Sequence, residues 1–265
     1  MEGRSLPLTA PRRLIIDLMK VSMPVPRVTV QRRMNLEPLL EARYAGRRRP
    51  SWLAMFIKGY GLLARETPEF RRAYVKLPWP RLFEYPMSVA SIAHEREIDG
   101  EKAVLLTRLK APEHCPIQEI DRLIQLAREL PVDEVPEFRK ALRFASVPAF
   151  LRRLAMRAGL NLARQRANYF GTFSVSVYSS LGAESFNPLS PLTTHLNYGP
   201  IDEAGAVNVR ILYDHRVTDG AVVARALRRF EEILNDAVAA EVLVMQGSRA
   251  TARRRSRRER GRTAV

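Results

Sequence analysis

His215 and Asp219 are the residues of this chain whose types and spacing could do chemistry; they stand four apart in the run YDHRVTDG at 213–220. An imidazole takes and returns a proton near neutral pH, which suits a general base. A carboxylate at i+4 followed by Gly220 suits a buried structural anchor at a helix start. A helix favours an anion in its first turn, and glycine lets another chain approach closely. Taken alone, the same tetrad also reads as a surface histidine followed by an N-capping aspartate.

The flanking elements must hold that run in place. The short apolar run 207–212 predicts a strand and the amphipathic run 221–234 a helix, so the histidine falls on the corner between them. Upstream, Leu14, Ile15, Leu18, Met19 and Val21 make one helical face over 12–22, ended by Pro24 and Pro26. Alternation over 28–33 predicts a strand, and 36–43 and 52–66 predict helices. The runs 87–93 and 103–108 predict strands paired around the turn at 99–100. A helix over 117–130 carries Ile117, Ile120, Leu123, Ile124 and Ala127 on one side.

The 265 residues, 46% of them apolar, are enough for one large domain or two small ones with a real core. The single cysteine, Cys115, excludes an intrachain disulfide and a cysteine-based zinc site. No apolar run approaches the ~20 residues of a membrane span. The N-terminal MEGRSLPLTAPRR lacks an apolar signal core, so the expected location is cytoplasmic. Of the net charge of +16, the segment 248–265 carries +7, from eight arginines and one glutamate, and +9 remains on the body. Such a tail is expected to be disordered and solvated, and able to hold a polyanion or an anionic membrane by phosphate contact. No aromatic residue interleaves it, so base stacking is not implied.

The run YDHRVTDGAVVARAL at 213–227 resembles the signature shared by the chloramphenicol acetyltransferases and the acyltransferase components of 2-oxo acid dehydrogenase complexes. With Asp214, His215, Arg216, Val217, Asp219, Gly220 and Ala221 in place, it is more similar to the second group, the dihydrolipoamide acyltransferases. Arg12, Arg13, Ile15 and Met19 resemble that family's opening helix, WLAMFIKGYGLLARETPEF its long core helix, and GTFSVS at 171–176 its Gly-Thr-Phe strand. The resemblance spans about 12–245. It implies an α/β (α+β) chloramphenicol acetyltransferase-like sandwich over 1–247, a mixed sheet flanked by helices. It further implies a homotrimer with active sites between subunits.

The activity so implied is acyl transfer between a thioester and an acceptor, with coenzyme A or acyl-coenzyme A as substrate, no metal, and no covalently bound lipoyl group in this chain. A thiol must lose its proton to attack, and His215 would take it. The oxyanion formed needs a preplaced donor, and the resemblance gives that part to Ser176 of the neighbouring subunit. It makes Asp219 structural, paired with an arginine near the N-terminal helix, for which Arg13 is the candidate.

Several stretches depart from the family. Arg27 stands where the family has the histidine of Pro-His-Val-Thr, and HEREIDGEK replaces a loop with Thr-Pro and Gly-Leu elements. His195 has no counterpart and reads as structural or interfacial; Ser179 and Ser180 read as turn formers. The segment 136–170 is longer than the family's connection and mixes large apolar residues with arginines, and Pro148 divides it into two amphipathic pieces. Such a basic amphipathic insertion can lie peripherally on an anionic membrane, or pack on the core with its arginines in water. The chain starts directly with the catalytic part, so the acyl donor is expected to be another protein or a small molecule. Two functions follow: a stand-alone coenzyme A-dependent acyltransferase, and alternatively a non-catalytic trimeric scaffold or a membrane- or nucleic-acid-binding protein.

Overall fold

The computed structural model describes residues 3–98 and 100–246; the basic tail 248–265 lies outside them. The chain opens with α1 (Ala10–Ser22), whose N-cap Thr9 accepts a hydrogen bond from the Arg12 amide. It continues through β1 (Arg27–Asn35), α2 (Glu37–Tyr44) and α3 (Trp52–Glu66). A hairpin of β2 (Arg72–Val75) and β3 (Arg81–Glu84) precedes β4 (Val89–Ile98), β5 (Glu101–Lys110) and α4 (Ile117–Glu129). Three helices follow, α5 (Pro136–Ala145), α6 (Ala149–Asn161) and α7 (Ala163–Phe170). The last part holds β6 (Phe173–Val175), β7 (Thr194–Tyr198), β8 (Ala206–Asp214) and α8 (Gly220–Ile233), which runs on into a π-helical turn, Leu234–Val238.

Six strands form one mixed sheet in the order β1-β8-β7-β6-β4-β5. Only β6 runs parallel to its neighbours, β4 and β7. One face carries the main core, and α3 lies at its centre because it is apolar nearly all round. Phe56 of α3 stacks on Tyr198 of β7 at 3.9 Å between ring centroids, and the Tyr60 hydroxyl donates to Thr194 Oγ1 at 2.6 Å. Burial of each such aromatic contributes about 1.5–3 kcal/mol. The sheet's opposite face is polar along its middle strands, where Ser174, His195, Asn197, Arg210 and Asp214 point away from α3.

The expected mixed sheet flanked by helices is therefore present, with two differences. The β2–β3 hairpin was not expected; Pro78 and Pro80 break its short sequence and hide the alternation. The 136–170 segment makes three helices instead of two, because the chain also breaks at Leu162 (φ −77°, ψ 82°). There the Arg166 side chain turns inward to the carbonyls of Tyr74 and Pro191 at 2.6 and 2.8 Å. The segment is partly core and partly surface: Phe138 is fully buried, whereas Phe150 and Leu154 are 69% and 63% exposed.

Candidate active site

The corner after β8 is held from both sides of His215. The Asp214 amide donates to the Thr193 carbonyl at 2.8 Å. The Asp214 carboxylate, 1% exposed, accepts from the Arg216 amide, Nε and Nη2 at 3.0, 2.9 and 2.7 Å. The Arg216 guanidinium in turn lies over the Tyr74 ring at 4.5 Å. A turn bond from the Val217 amide to the Asp214 carbonyl closes the corner at 2.9 Å, and the His215 amide donates to the Pro26 carbonyl at 3.0 Å. The backbone at His215 is thus fixed while its side chain is about half exposed, at 49%.

His215 Nδ1 lies 3.4 Å from Asp219 Oδ1. With a proton on Nδ1 facing that carboxylate, Nε2 is left as the basic nitrogen. The Tyr213 ring packs 5.5 Å from the imidazole, and its hydroxyl would sit only 3.1 Å from a Cβ at position 220, which explains the glycine there. Burial, aided by the charge of Asp219, pushes the Tyr213 hydroxyl pKa up, so the phenol stays protonated.

Asp219 is not the buried anchor that the spacing suggested. Its side chain is 78% exposed, and among the ion pairs of the described residues none joins it to Arg13. It occupies the N-cap position of α8 in extended conformation but makes no capping bond with its side chain. The anchoring is done elsewhere. Asp214 satisfies the corner, and the buried carboxylate at the N-terminal helix is Asp17, held by Arg152 Nε at 2.5 Å and Arg153 Nε at 2.7 Å. Burial alone would raise the Asp17 pKa, but the hydrogen bonds from Arg153 and Arg152 outweigh it and hold the carboxyl below its ordinary range.

Ser176 lies one residue past the end of β6, half-buried, with its carbonyl accepting from Asn197 Nδ2 at 2.6 Å. No hydrogen bond among the described residues engages its hydroxyl, which is free to donate. The neighbouring serines are committed. Ser174 Oγ sits 2.7 Å from His195 Nδ1 and 3.0 Å from Ser190 Oγ, and Ser179 and Ser180 form a 3₁₀ turn. His195 is 4% exposed, and burial with the nearby Arg27 charge pushes its pKa down to about 3, so it is a neutral structural residue. Arg27, which replaces the family's histidine, spans to the carbonyls of Pro188 and Leu192 at 2.7 and 3.3 Å and pins the 188–192 segment over this face.

Sequence reasoning placed Asp214 in the signature without giving it a role, and missed Arg210 and Asn197 as parts of this region. Arg210 pairs with Glu184 and lies 4.2 Å from the Phe186 ring centroid, fastening the 184–186 strap beside Ser176. A charged residue inside the apolar run 207–212 was the available signal, since arginine is rarely fully buried unless paired.

The register keeps Ser176 and His215 apart within one chain. Ser176 follows the Val175–Leu196 pair, next to Asn197, whose partner on β8 is Arg210. His215 lies five positions further along β8 and two strands across, a separation of roughly 19 Å at ~3.3 Å per residue and ~4.8 Å per strand. A base and an oxyanion donor of one site must both reach to about 3 Å of the same reacting group. A single chain therefore brings His215 and Asp219 together but not Ser176.

No protein-family model and no curated protein sequence matches this chain. Its fold does match solved acyltransferase cores. A probable dihydrolipoamide acetyltransferase from Listeria monocytogenes superposes over 88% of this chain and 94% of its own, with a TM-score of 0.63 at 19% identity. A dihydrolipoamide acetyltransferase from Azotobacter vinelandii covers 90% and 93%, with a TM-score of 0.63 at 19% identity. The truncated catalytic core of a 2-oxoacid dehydrogenase multienzyme complex from Thermoplasma acidophilum covers 88% and 99%, with a TM-score of 0.64 at 18% identity. The chain has the fold of these cores.

Proposed function

We propose that this chain is an acyltransferase that moves an acyl group between a thioester and an acceptor thiol, coenzyme A being the thiol of the family it resembles. Nε2 of His215 takes the proton of the attacking thiol, and the resulting thiolate adds to the thioester carbonyl. The Ser176 hydroxyl of a neighbouring copy donates to the oxyanion. Collapse expels the second thiolate, which recovers the proton from the imidazolium. Asp219 keeps the Nδ1 proton in place and offsets the charge of the imidazolium. The acyl donor is another protein or a small molecule.

The observation that carries this reading is a histidine rigidly held by its backbone, backed by a carboxylate and half open to solvent, on a fold whose similar members are acetyltransferase cores. A half-exposed base works poorly until water is excluded, which supports a trimer that closes the site. In the Azotobacter enzyme a serine, a histidine and an asparagine were investigated for their role in the catalytic mechanism. Its histidine and asparagine are four positions apart, as His215 and Asp219 are here. Thiol release from short- and long-chain acyl-coenzyme A donors tests the proposal. His215→Ala should lower turnover by about 10²–10⁴-fold with the fold intact. Full activity in that variant, with a substrate the parent turns over, removes His215 from the mechanism.

A second reading rests on α6, where exposed Phe150, Leu151 and Leu154 are interspersed with Arg153 and Arg157. That combination suits contact with an anionic membrane surface alongside the transfer activity.

A further inference from the structure

The helices of 136–170 do not close onto the sheet edge. Between them, α1 and β5 lies a cavity of about 610 Å³. Leu14 and Leu18 of α1, Val104 and Leu106 of β5, Phe144 of α5 and Met156 of α6 wall it with hydrocarbon. The space is open to solvent on one side, where Leu162 and Tyr169 are exposed. Its size falls within the ~300–1,000 Å³ of small-molecule sites, which are mainly apolar with a few placed polar groups.

A clamp at one end keeps the helices from collapsing into it. Asp17 of α1 is gripped by Arg152 and Arg153 of α6, and Arg152 Nη1 also donates to the carbonyls of Ala145 and Val147 at 2.9 and 2.8 Å. This fixes α1, α6 and the end of α5 relative to one another. The charged groups bordering the cavity are Arg108, Lys140 and Glu137. Arg108 Nη1 donates to the Tyr169 carbonyl at 3.2 Å. Burial pushes the pKa of this guanidinium down, offset only in part by the charge of Glu137. Among the ion pairs of the described residues, none engages Arg108 or Lys140. Two cations face one carboxylate, so the border is net positive.

We propose that this cavity binds a long-chain carboxylate, with the hydrocarbon chain in the apolar interior and the carboxylate at Arg108 and Lys140. The site lies at β5, four strands across the sheet from β8, or ~19 Å. It is separate from the His215 corner and does not depend on the acyl-transfer reading.

Isothermal titration with dodecanoate, kept below its micelle concentration, should show saturable binding of about one molecule per chain, weaker for the neutral dodecanol. Arg108→Gln with Lys140→Gln should weaken dodecanoate by about tenfold, the loss expected for a charge-assisted contact, and leave dodecanol unchanged. Ala141→Phe, which fills the space from α5, should abolish binding while keeping or raising the melting temperature. A dodecanoate carrying a photoreactive diazirine on its chain should label the unmodified protein within 14–18, 104–108 and 137–170. Absence of saturable binding, equal binding by the Ala141→Phe protein, or labelling confined to other segments overturns the proposal. Should Ala141→Phe fail to fold, the labelling pattern on the unmodified chain decides.

Discussion

Coexpression of His215→Ala chains with Ser176→Ala chains tests the division of the site between copies. Within one chain the two side chains are separated by five residues along β8 and two strand spacings, roughly 19 Å, too far for both to reach one reacting group. Each variant alone should be nearly inactive: losing the base costs about 10²–10⁴-fold and losing the oxyanion donor about 10²–10³-fold. If the copies form a ring of three as proposed, each site would take its histidine from one copy and its serine from the next. An equal mixture then regenerates an intact site wherever a Ser176→Ala copy precedes a His215→Ala copy, in about one quarter of cases. Thiol release should therefore recover to about one quarter of the parental rate, tens- to hundreds-fold above either variant. A mixed preparation no more active than the average of its two parents, with mixed oligomers verified by mass, refutes the shared site. A Ser179→Ala chain that is inactive alone and recovers on mixing with a His215→Ala chain would instead place the oxyanion donor at Ser179.

The other predictions concern stability and surfaces. Asp17→Asn leaves the buried Arg152 without its carboxylate and should cost about 3–5 kcal/mol, read by denaturant unfolding; a loss under 1 kcal/mol would mean that the carbonyls of Ala145 and Val147 suffice. Burial holds His94 and His195 at pKa values of about 4 and about 3, below the ordinary 6.5. Between those values and 6.5 the unfolded chain binds more protons than the folded one, so this stability is complete above pH 6.5 and is lost as the pH falls. By pH 4 the loss should reach up to about 3 kcal/mol per histidine, and His94→Gln with His195→Gln should flatten the slope. Phe150→Asp with Leu154→Asp should fold normally, because both side chains are exposed, and should lose salt-resistant binding to anionic vesicles; an altered circular dichroism spectrum would show that α6 is core. Removal of 248–265 should abolish salt-sensitive polyanion binding and leave the rest of the molecule unaffected, as a salt titration of binding would show.

What could be read from the sequence was whatever local chemistry encodes. Ser51 and Pro68 bracket α3, the prolines at 24 and 26 end α1, and Gly100, at φ 76°, lies between β4 and β5. The strand, corner and helix around His215 follow from a change of period within one short run. Features that depend on distant partners left no such trace. The four-residue spacing places Asp219 one turn from His215 but says nothing about whether its carboxylate turns inward. The inward carboxylate proved to be Asp214, at a corner whose backbone is fixed by Thr193 and Pro26, far away in the chain. The Asp17–Arg152 pair joins helices with no periodic relation to each other, and Leu162 breaks a helix without a glycine or proline.

The pairing of β1 with β8 has a consequence for synthesis. Pro26, whose carbonyl receives the His215 amide, and all of β1 are made early, but their partner strand ends at Asp214. At ~5–20 residues per second, β1 waits roughly 10–40 s for that partner to be translated. During that interval it is an unpaired strand, the kind of segment that recruits foreign strands. Gln31, Arg32 and Arg33, all exposed in the finished fold, put polar and charged side chains along the waiting strand, the usual protection against such pairing. The corner that carries the histidine is therefore among the last parts of the chain to acquire its shape. A nascent chain arrested before residue 214 should lack the corner that holds His215.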